Sequence, residues 1–243
     1  MKSATMNKTA RTLNPPLRVA ITGGTSGLGL ALVKALHARG DQVAFVARDA
    51  ERVARTARSL PGTHGIRGDV ADKHDTHVIA QQINAALGGL DLLIHNASSL
   101  GPVPLALLAD TDCEDLEAAL ATNLVGPFRL TKALLGALAA SAREGRPALV
   151  VHISSDAAVN AYAGWGAYSA SKAAFLHLGR IWDEELRGHG VHVIGFDPGD
   201  MDTPMHAQAV PDADPATLKA PAQAARELLA LVDPWWARQT EAA

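Results

Sequence analysis

A glycine-rich turn occupies residues 22–29, with the sequence Thr22-Gly23-Gly24-Thr25-Ser26-Gly27-Leu28-Gly29. It follows an apolar run at residues 17–22 and precedes residues 28–39, where apolar side chains recur at helical spacing. Glycines let the backbone turn sharply and approach a pyrophosphate, while the amino end of a helix supplies free N–H groups. The turn therefore predicts a dinucleotide-binding site, although such turns also serve as plain connections between a strand and a helix. The expected contacts are Thr22, Gly23, Thr25, Ser26, Gly27, Leu28 and Gly29.

Strand-like and helical segments alternate along the rest of the chain. Apolar runs typical of strands occupy residues 17–22, 42–47, 65–70, 90–95, 148–153 and 191–196. Helical patterns occupy residues 28–39, 50–59, 72–87, 112–143, 167–187 and 222–232, and Asp233-Pro234 is expected to end the last of them. This alternation is typical of a parallel sheet with helices on both faces. We therefore predict the α/β class: one Rossmann-type, doubly wound domain at residues 17–243, with six or seven strands.

The composition, with 48% hydrophobic and 19% charged residues, is ordinary for a globular protein. A net charge of −3 gives no electrostatic reason to expect nucleic acid or an anionic membrane as a partner. The single cysteine, Cys113, excludes an intramolecular disulfide and fits a reducing compartment. Residues 1–16 lack the apolar core of a signal peptide and are predicted to be a mobile leader, and the scattered histidines predict no metal site. These features favour a cytoplasmic protein.

The second predicted strand ends at Ala47 and is followed by Arg48. An acidic residue at this point would hydrogen-bond the adenosine ribose and exclude a 2′-phosphate, and Ala47 offers no carboxylate. The Arg48 guanidinium can bind a phosphate through two charge-assisted hydrogen bonds. We therefore expect NADPH to be preferred over NADH. The alternative is that Arg48 only solvates the end of a strand.

A candidate catalytic set lies in the second half of the chain. Tyr168 and Lys172 are four residues apart, so on a helix they lie on one face. A nearby ammonium favours the phenolate and lowers the pKa of a tyrosine, which lets the phenol exchange a proton with a carbonyl oxygen. Ser155 follows a buried-looking strand, and its hydroxyl could hold the same oxygen. Carbonyl reduction is the chemistry that this set predicts.

Taken together, these motifs closely resemble the short-chain dehydrogenase/reductase family over residues 17–205. The resemblance implies a catalytic tetrad of Asn123, Ser155, Tyr168 and Lys172. It also implies cofactor contacts beyond the glycine turn, namely Arg48, Asp69, Val70, Asn96, Ala97, Tyr168, Lys172, Pro198, Gly199 and Thr203.

In such enzymes a hydride passes between the nicotinamide and a carbonyl carbon. The resemblance makes Tyr168 the acid/base, with Lys172 lowering its pKa and holding the nicotinamide ribose. It makes Ser155 the residue that orients the carbonyl, while Asn123 bends its helix and positions a water. Two departures stand out. Ser98 replaces the glycine that usually follows Asn96-Ala97, and the carboxyl end lacks the usual glycine-rich final strand, so a seventh strand is doubtful. We therefore expect a homodimer through the two long helices, with a tetramer as the alternative.

Three short stretches further resemble the sepiapterin reductase and benzil reductase branch, whose members reduce vicinal dicarbonyls with NADPH: Ser99-Leu100-Gly101, Gly164-Trp165-Gly166-Ala167-Tyr168 and Asp202-Thr203. That resemblance implies Asp202 as a substrate anchor, although Asp202 could equally cap the helix that follows it. Trp165 could stack on a flat substrate or anchor a loop. The loop at residues 200–221 is expected to close over a small carbonyl substrate. The alternatives are a ketoreductase for 3-oxoacyl groups on a carrier, an alcohol dehydrogenase of the same family, and an NADPH-binding regulatory sensor.

Overall fold

The computed structural model describes residues 15–240, with side chains up to Trp235, so most of the predicted leader lies outside the described residues. Its six parallel strands form one sheet in the order β3-β2-β1-β4-β5-β6. The strands are β1 (Arg18–Thr22), β2 (Gln42–Ala47), β3 (His64–Arg67), β4 (Leu92–His95), β5 (Leu149–Ile153) and β6 (His192–Phe196). The predicted α/β, doubly wound fold is confirmed, with six strands in the described part of the chain. The strand order reverses between β1 and β4, which opens a crevice beyond their carboxyl ends.

Helices cover both faces of the sheet. They are α1 (Gly27–Arg39), α2 (Ala50–Ser59), α3 (Lys73–Leu87), α4 (Cys113–Leu120), α5 (Gly126–Arg143), α6 (Gly166–Leu186), α7 (Pro204–Ala209) and α8 (Pro221–Thr240). No helix among residues 15–240 is both long and apolar enough to cross a membrane.

The core consists of two apolar layers, one on each face of the sheet. Alternate strand residues divide between them: Val19 and Ile21 of β1 belong to the layer with α1 and α8, whereas Ala20 belongs to the layer with α3 and α5. A strand that is buried on both faces needs no polar side. This explains why the strands read as continuous apolar runs in the sequence.

The predicted helix at residues 112–143 is interrupted by one π-helical turn, Ala121–Val125, between α4 and α5. The backbone passes very close to a neighbouring segment here, because a Cβ on Gly126 would collide with the carbonyl oxygen of Val70. Inserted turns of this kind often lie at functional sites. Asn123 lies within this turn, at the point where the family resemblance implies a bend in the helix.

The prediction that the last helix ends at Asp233-Pro234 is wrong, since α8 continues through Pro234 to Thr240. A proline inside a helix removes one backbone hydrogen bond, which costs about 3 kcal/mol. Tertiary contacts offset this cost. The Trp235 ring lies 4.6 Å from the His192 ring and packs against the apolar layer, and Arg39 donates a hydrogen bond of 2.8 Å to Asp233.

A buried carboxylate joins β1, β4 and β5 at the end of the sheet opposite the crevice. Asp91 is fully buried and accepts hydrogen bonds from the Arg18 guanidinium at 2.8 Å and from Arg146 at 2.6 Å. It also accepts from the backbone N–H of Arg18 at 2.8 Å. Burial alone would raise the pKa of Asp91, but the hydrogen bonds from Arg146 and Arg18 outweigh it and hold the pKa below its ordinary value of 3.8. The ionised form therefore stabilises the fold.

The pKa of Asp91 is depressed in the folded state. The contribution of its carboxylate to the free energy of unfolding is therefore complete above about pH 4 and is lost as the pH falls through the folded-state pKa. We expect Asp91→Asn to lower the free energy of unfolding at pH 7 by about 3–5 kcal/mol, since two arginines lose their counter-charge. Urea denaturation at pH 7 and in acid would measure both effects. Glu184→Gln, at an exposed ion pair, should change stability by less than about 0.5 kcal/mol. A variant at Asp91 as stable as the wild type would contradict this role.

Candidate active site

The carboxyl ends of the strands surround a cleft of about 890 Å³. Most of the residues that the sequence singles out line it: Gly23, Thr25, Ser26, Gly27, Leu28, Arg48, Asp69, Val70, Asn96, Ala97, Ser155, Trp165, Tyr168, Lys172, Pro198, Gly199 and Thr203. The others, which are Thr22, Gly29, Asn123 and Asp202, are not among its lining residues. Residues from distant parts of the chain thus line one cleft. The four residues that do not line it make the other contacts described below.

The glycine turn needs its glycines for shape and for close packing. Gly23 has a φ of +71°, in the left-handed region that side chains disfavour. A Cβ on Gly29 would collide with the carbonyl oxygen of Gly23. Asn96 Nδ2 donates to the carbonyl oxygens of Thr22 and Gly23, at 3.0 and 3.2 Å. Thr22 and Gly29 therefore shape the turn from behind.

The amino end of α1 faces this cleft through Gly27 and Leu28. Its N-cap residue, Ser26, makes no side-chain capping hydrogen bond. The N–H groups in the first turn of a helix have no partner within the helix, and together with the helix dipole they favour an anion. The turn and helix end thus fit the pyrophosphate of a dinucleotide.

At the far end of the cleft two arginines lie beside the end of β2. Arg48 is largely exposed, with its guanidinium 3.9 Å from the Asp69 carboxylate. Arg52, in the first turn of α2, also lines the cleft. The neighbouring Asp49 is engaged elsewhere, because its carboxylate caps α2 by accepting from the N–H groups of Glu51 and Arg52 at 2.9 and 3.0 Å. This end is suited to a phosphate.

Tyr168 and Lys172 lie one turn apart on α6, and both are buried. The Lys172 ammonium donates to the carbonyl oxygen of Ile153 at 2.8 Å and lies 5.5 Å from the centre of the Tyr168 ring. Ser155 follows β5, and its Oγ accepts from the N–H of Ala157 at 3.2 Å. Side chains from β5 and α6 therefore converge at one point of the cleft.

Burial shifts the pKa values of this pair in opposite directions. Burial raises the pKa of Tyr168 to about 12, against an opposing hydrogen bond from Ser155. Burial lowers the pKa of Lys172 to about 8, against the opposing charge of Asp197. The structure therefore does not show the expected lowering of the Tyr168 pKa, because the loss of hydration outweighs the hydrogen bonds that oppose it. At neutral pH Tyr168 keeps its proton, as a proton donor must.

Asn123 is buried in the π-helical turn, with its amide fully hydrogen-bonded. Its Oδ1 accepts from Ser99 N at 2.8 Å and from Ser98 Oγ at 3.1 Å. Its Nδ2 donates to Ser99 O and to Ser171 Oγ, each at 2.8 Å. Asn123 thus ties the loop after β4 to α6, the helix that carries Tyr168. A role in positioning a water stays a prediction.

The two predicted substrate residues have different surroundings. Trp165 lines the cleft, with its ring edge-on to the Tyr168 ring at 5.7 Å. Asp202 is exposed, and its backbone N–H donates to the carbonyl oxygen of Lys219 at 3.0 Å. The alternative that Asp202 caps the next helix is wrong, because the N-cap of α7 is Thr203, whose hydroxyl accepts from His206 N at 3.2 Å.

Comparisons with known proteins identify the family. Residues 18–214 match the short chain dehydrogenase family. The chain is 32% identical over 194 residues to 2-(R)-hydroxypropyl-CoM dehydrogenase of Xanthobacter autotrophicus, across 77% of this chain and 76% of that protein. It is 30% identical over 224 residues to carbonyl reductase family member 4 of Danio rerio, across 89% and 91% of the two chains.

A solved short chain dehydrogenase of Shigella flexneri, in complex with NADP, superimposes with a TM-score of 0.79 at 27% identity. The superposition covers 86% of this chain and 87% of that one. The protein therefore belongs to the short-chain dehydrogenase family. It is an NAD(P)-dependent oxidoreductase that acts on carbonyl or alcohol groups.

Proposed function

We propose that the protein is a carbonyl reductase that converts a ketone or vicinal dicarbonyl with an apolar substituent to the alcohol, with NADPH preferred over NADH. The observation that carries the proposal is the buried, protonated phenol of Tyr168, which lines the same cleft as Ser155 and Lys172. The nicotinamide, when bound, supplies a hydride to the carbonyl carbon.

The side chains of the site supply the proton and hold the oxygen. Tyr168 donates its proton to the oxygen of the substrate. Lys172, whose pKa is lowered to about 8 by burial, still carries its charge at neutral pH and stabilises the phenolate that remains. The Ser155 hydroxyl donates to the exposed Asp156 carboxylate at 3.2 Å, and it can turn to a carbonyl oxygen instead.

An apolar cluster beside Tyr168 supports a substrate with an apolar group next to the reacting carbonyl. Leu100 and Ala157 are buried against Tyr168. Four partly buried side chains pack around them: Leu105, Trp165, Met205 and Ala209. Two of these come from the segment 200–221, which contains the short helix α7 and contributes lining residues to the cleft. Trp165 is accordingly proposed to contact the substrate. The described contacts of Asp202 do not support a role in substrate binding for that residue.

The charges at this end of the cleft argue against a carrier-bound 3-oxoacyl substrate. The described lining residues near the catalytic side chains include the carboxylates Asp156 and Asp200. The arginines among the described lining residues, Arg48 and Arg52, lie at the opposite end. The ammonium of Lys172 is buried and donates to the Ile153 carbonyl oxygen, so a phosphate-bearing carrier arm would gain no arginine partner near Tyr168 and would meet two carboxylates. The presence of all four expected catalytic side chains, three of which line the cleft, supports an enzyme over a regulatory sensor.

The test of the function is NADPH consumption with vicinal diketones, simple ketones, aldehydes and sepiapterin. We expect turnover with the dicarbonyls. We expect Tyr168→Phe to lower kcat by about 10²–10⁴-fold, because the proton donor is gone, while the Kd for NADPH is unchanged. Tight NADPH binding by the wild type without turnover of any carbonyl would contradict the proposal and support the sensor. Turnover of alcohols with NADP⁺ alone would support the dehydrogenase alternative.

The preference for NADPH rests on Arg48 and on the engagement of Asp49 with α2. We expect Arg48→Ala to raise the Kd for NADPH by about 10–100-fold, because a hydrogen bond to a charged group contributes about 1.5–3 kcal/mol. The Kd for NADH should stay the same. Arg58→Ala, an exposed arginine at the other end of α2, is the matched control and should change neither value. Equal Kd values for the two cofactors in the wild type would contradict the preference.

We propose in addition that the protein is a homodimer through α5 and α6. Phe128 of α5 is exposed and stacks on Trp182 of α6, with ring centres 5.7 Å apart, and Ile181 beside it is also exposed. Such an apolar patch on two long helices favours contact with a second copy. Phe128→Glu should shift the protein to monomers in sedimentation velocity. Val78→Glu, at an exposed apolar residue of α3, should leave the dimer intact, and a monomeric wild type would refute the interface.

A further inference from the structure

Two stretches of the chain after β6 lie side by side. Lys219 N donates to the carbonyl oxygen of Asp200 at 2.9 Å, and Asp202 N donates to that of Lys219 at 3.0 Å. Met201 and Lys219 accordingly pair as a parallel β-bridge. These two stretches form the stem of a closed loop, residues 203–218, which we call the cleft loop because many of its residues line the cleft.

The side chain of Lys219 joins this stem to two other elements. Its ammonium donates to the carbonyl oxygen of Pro198 at 2.9 Å and to Glu227 Oε2 at 2.6 Å. Glu227 belongs to α8, and its other carboxylate oxygen accepts from Gln223 at 3.1 Å. An ammonium has three hydrogens, so it can donate to a carbonyl and to a carboxylate at the same time. Lys219 therefore ties the base of the cleft loop to the turn after β6 and to α8.

Within the described residues, the polar contacts of the cleft loop end on the loop itself or on its stem. Its hydrogen bonds join residues of the loop to one another, such as the bond from His206 N to Thr203 Oγ1. Its ion-pair contact reaches the stem, since His206 Nε2 lies 3.8 Å from Asp200 Oδ1. The stem and apolar packing therefore decide where the loop lies.

The cleft loop supplies side chains to two parts of the cleft. Met205 and Ala209 pack against the apolar cluster that contains Tyr168. A Cβ on Gly27 would lie 3.2 Å from Thr203 Cγ2, so Thr203 lies directly against the glycine turn. A shift of the loop would therefore alter the apolar wall beside the proton donor and the cover of the glycine turn.

We propose that Lys219 is a positioning residue for the carbonyl substrate: its ammonium fixes the base of the cleft loop and so holds Met205 and Ala209 beside Tyr168. Lys219 is not among the described residues that line the cleft, so it acts through the loop. Both of its side-chain hydrogen bonds have a charged donor, and such bonds are stronger than those between neutral groups. This inference rests on the proposed carbonyl reduction.

The effect of Lys219 on the loop can be separated from its effect on the whole fold. The Lys219 and Glu227 side chains are partly exposed, by 28% and 40%. Ion pairs of this kind contribute little to the free energy of unfolding. Removal of the ammonium should therefore loosen the cleft loop, whose polar contacts end at the stem, while the sheet stays intact.

Hydrogen–deuterium exchange of the protein without cofactor or substrate tests this directly. We expect Lys219→Met to speed amide exchange in residues 203–218 by about 3–10-fold, as for the loss of a hydrogen bond to a charged group. Exchange in the strands and the urea midpoint should not change. Lys219→Arg keeps the charge and the donors and should restore most of the protection. Lys34→Met, at an exposed lysine of α1, is the matched control and should have no effect on the loop.

Kinetics at saturating NADPH then test the link to the substrate. Lys219→Met should raise KM for a vicinal diketone by about 3–10-fold and leave kcat unchanged, because the substrate loses contacts whereas the proton donor does not. Glu227→Gln should change KM in the same direction by less, since the bond to Pro198 remains. Unchanged loop exchange and unchanged KM in Lys219→Met would overturn the inference, as would faster exchange throughout the sheet. If the wild type reduces no carbonyl, the proposed function fails, and the exchange data still decide whether Lys219 holds the loop.

Discussion

Four hydrogen bonds hold the end of β1 against the end of β4, and the arrangement of the cleft depends on them. Thr22 Oγ1 accepts from the N–H groups of Asn96 and Ala97 at 3.0 and 3.1 Å, and Asn96 Nδ2 donates to the carbonyl oxygens of Thr22 and Gly23. The backbone ladder between these strands ends at Ile21 and Ile94, one residue before the carboxyl end of each strand. Beyond this point the side chains of Thr22 and Asn96 join the two strand ends, and they hold the glycine turn against the loop that contains Ser98.

The protonation states of Tyr168 and Lys172 then follow from their burial on α6. Tyr168 and Lys172 lie on the buried face of α6, where low hydration disfavours both the phenolate and the ammonium. The phenol consequently keeps its proton at neutral pH, and the lysine is only weakly held in its charged form. A site of this kind needs hydrogen-bond donors around the phenol to make proton transfer favourable. The Ser155 hydroxyl, which lines the same cleft, can act as such a donor.

Local sequence rules located most elements to within two or three residues and failed where packing competes with them. Pro234 should end a helix by every local rule, yet the contacts of Trp235 and Asp233 carry α8 past it. The π-helical turn around Asn123 has no periodic signal, since it adds one residue to a continuous helix. The sequence left open whether Asp202 caps the helix that follows it, but in the structure Thr203 is the N-cap of α7. Arg52 was missed because Arg48 precedes α2, so no helical periodicity relates the two arginines.

By itself, the sequence determined the class of fold, the glycine turn and the set of polar side chains at the ends of the strands. Hydrophobic periodicity and glycine placement are local properties, and the alternation of strands and helices leaves few ways to cover both faces of a sheet. Only the tertiary structure decided the state of those side chains. The pKa of Tyr168, the engagement of Asp49 with α2 and the contact of Ser98 with Asn123 all depend on groups far apart in the chain. Burial and hydrogen bonding between distant segments cannot be read from spacing, because they exist only once the sheet has brought those segments together.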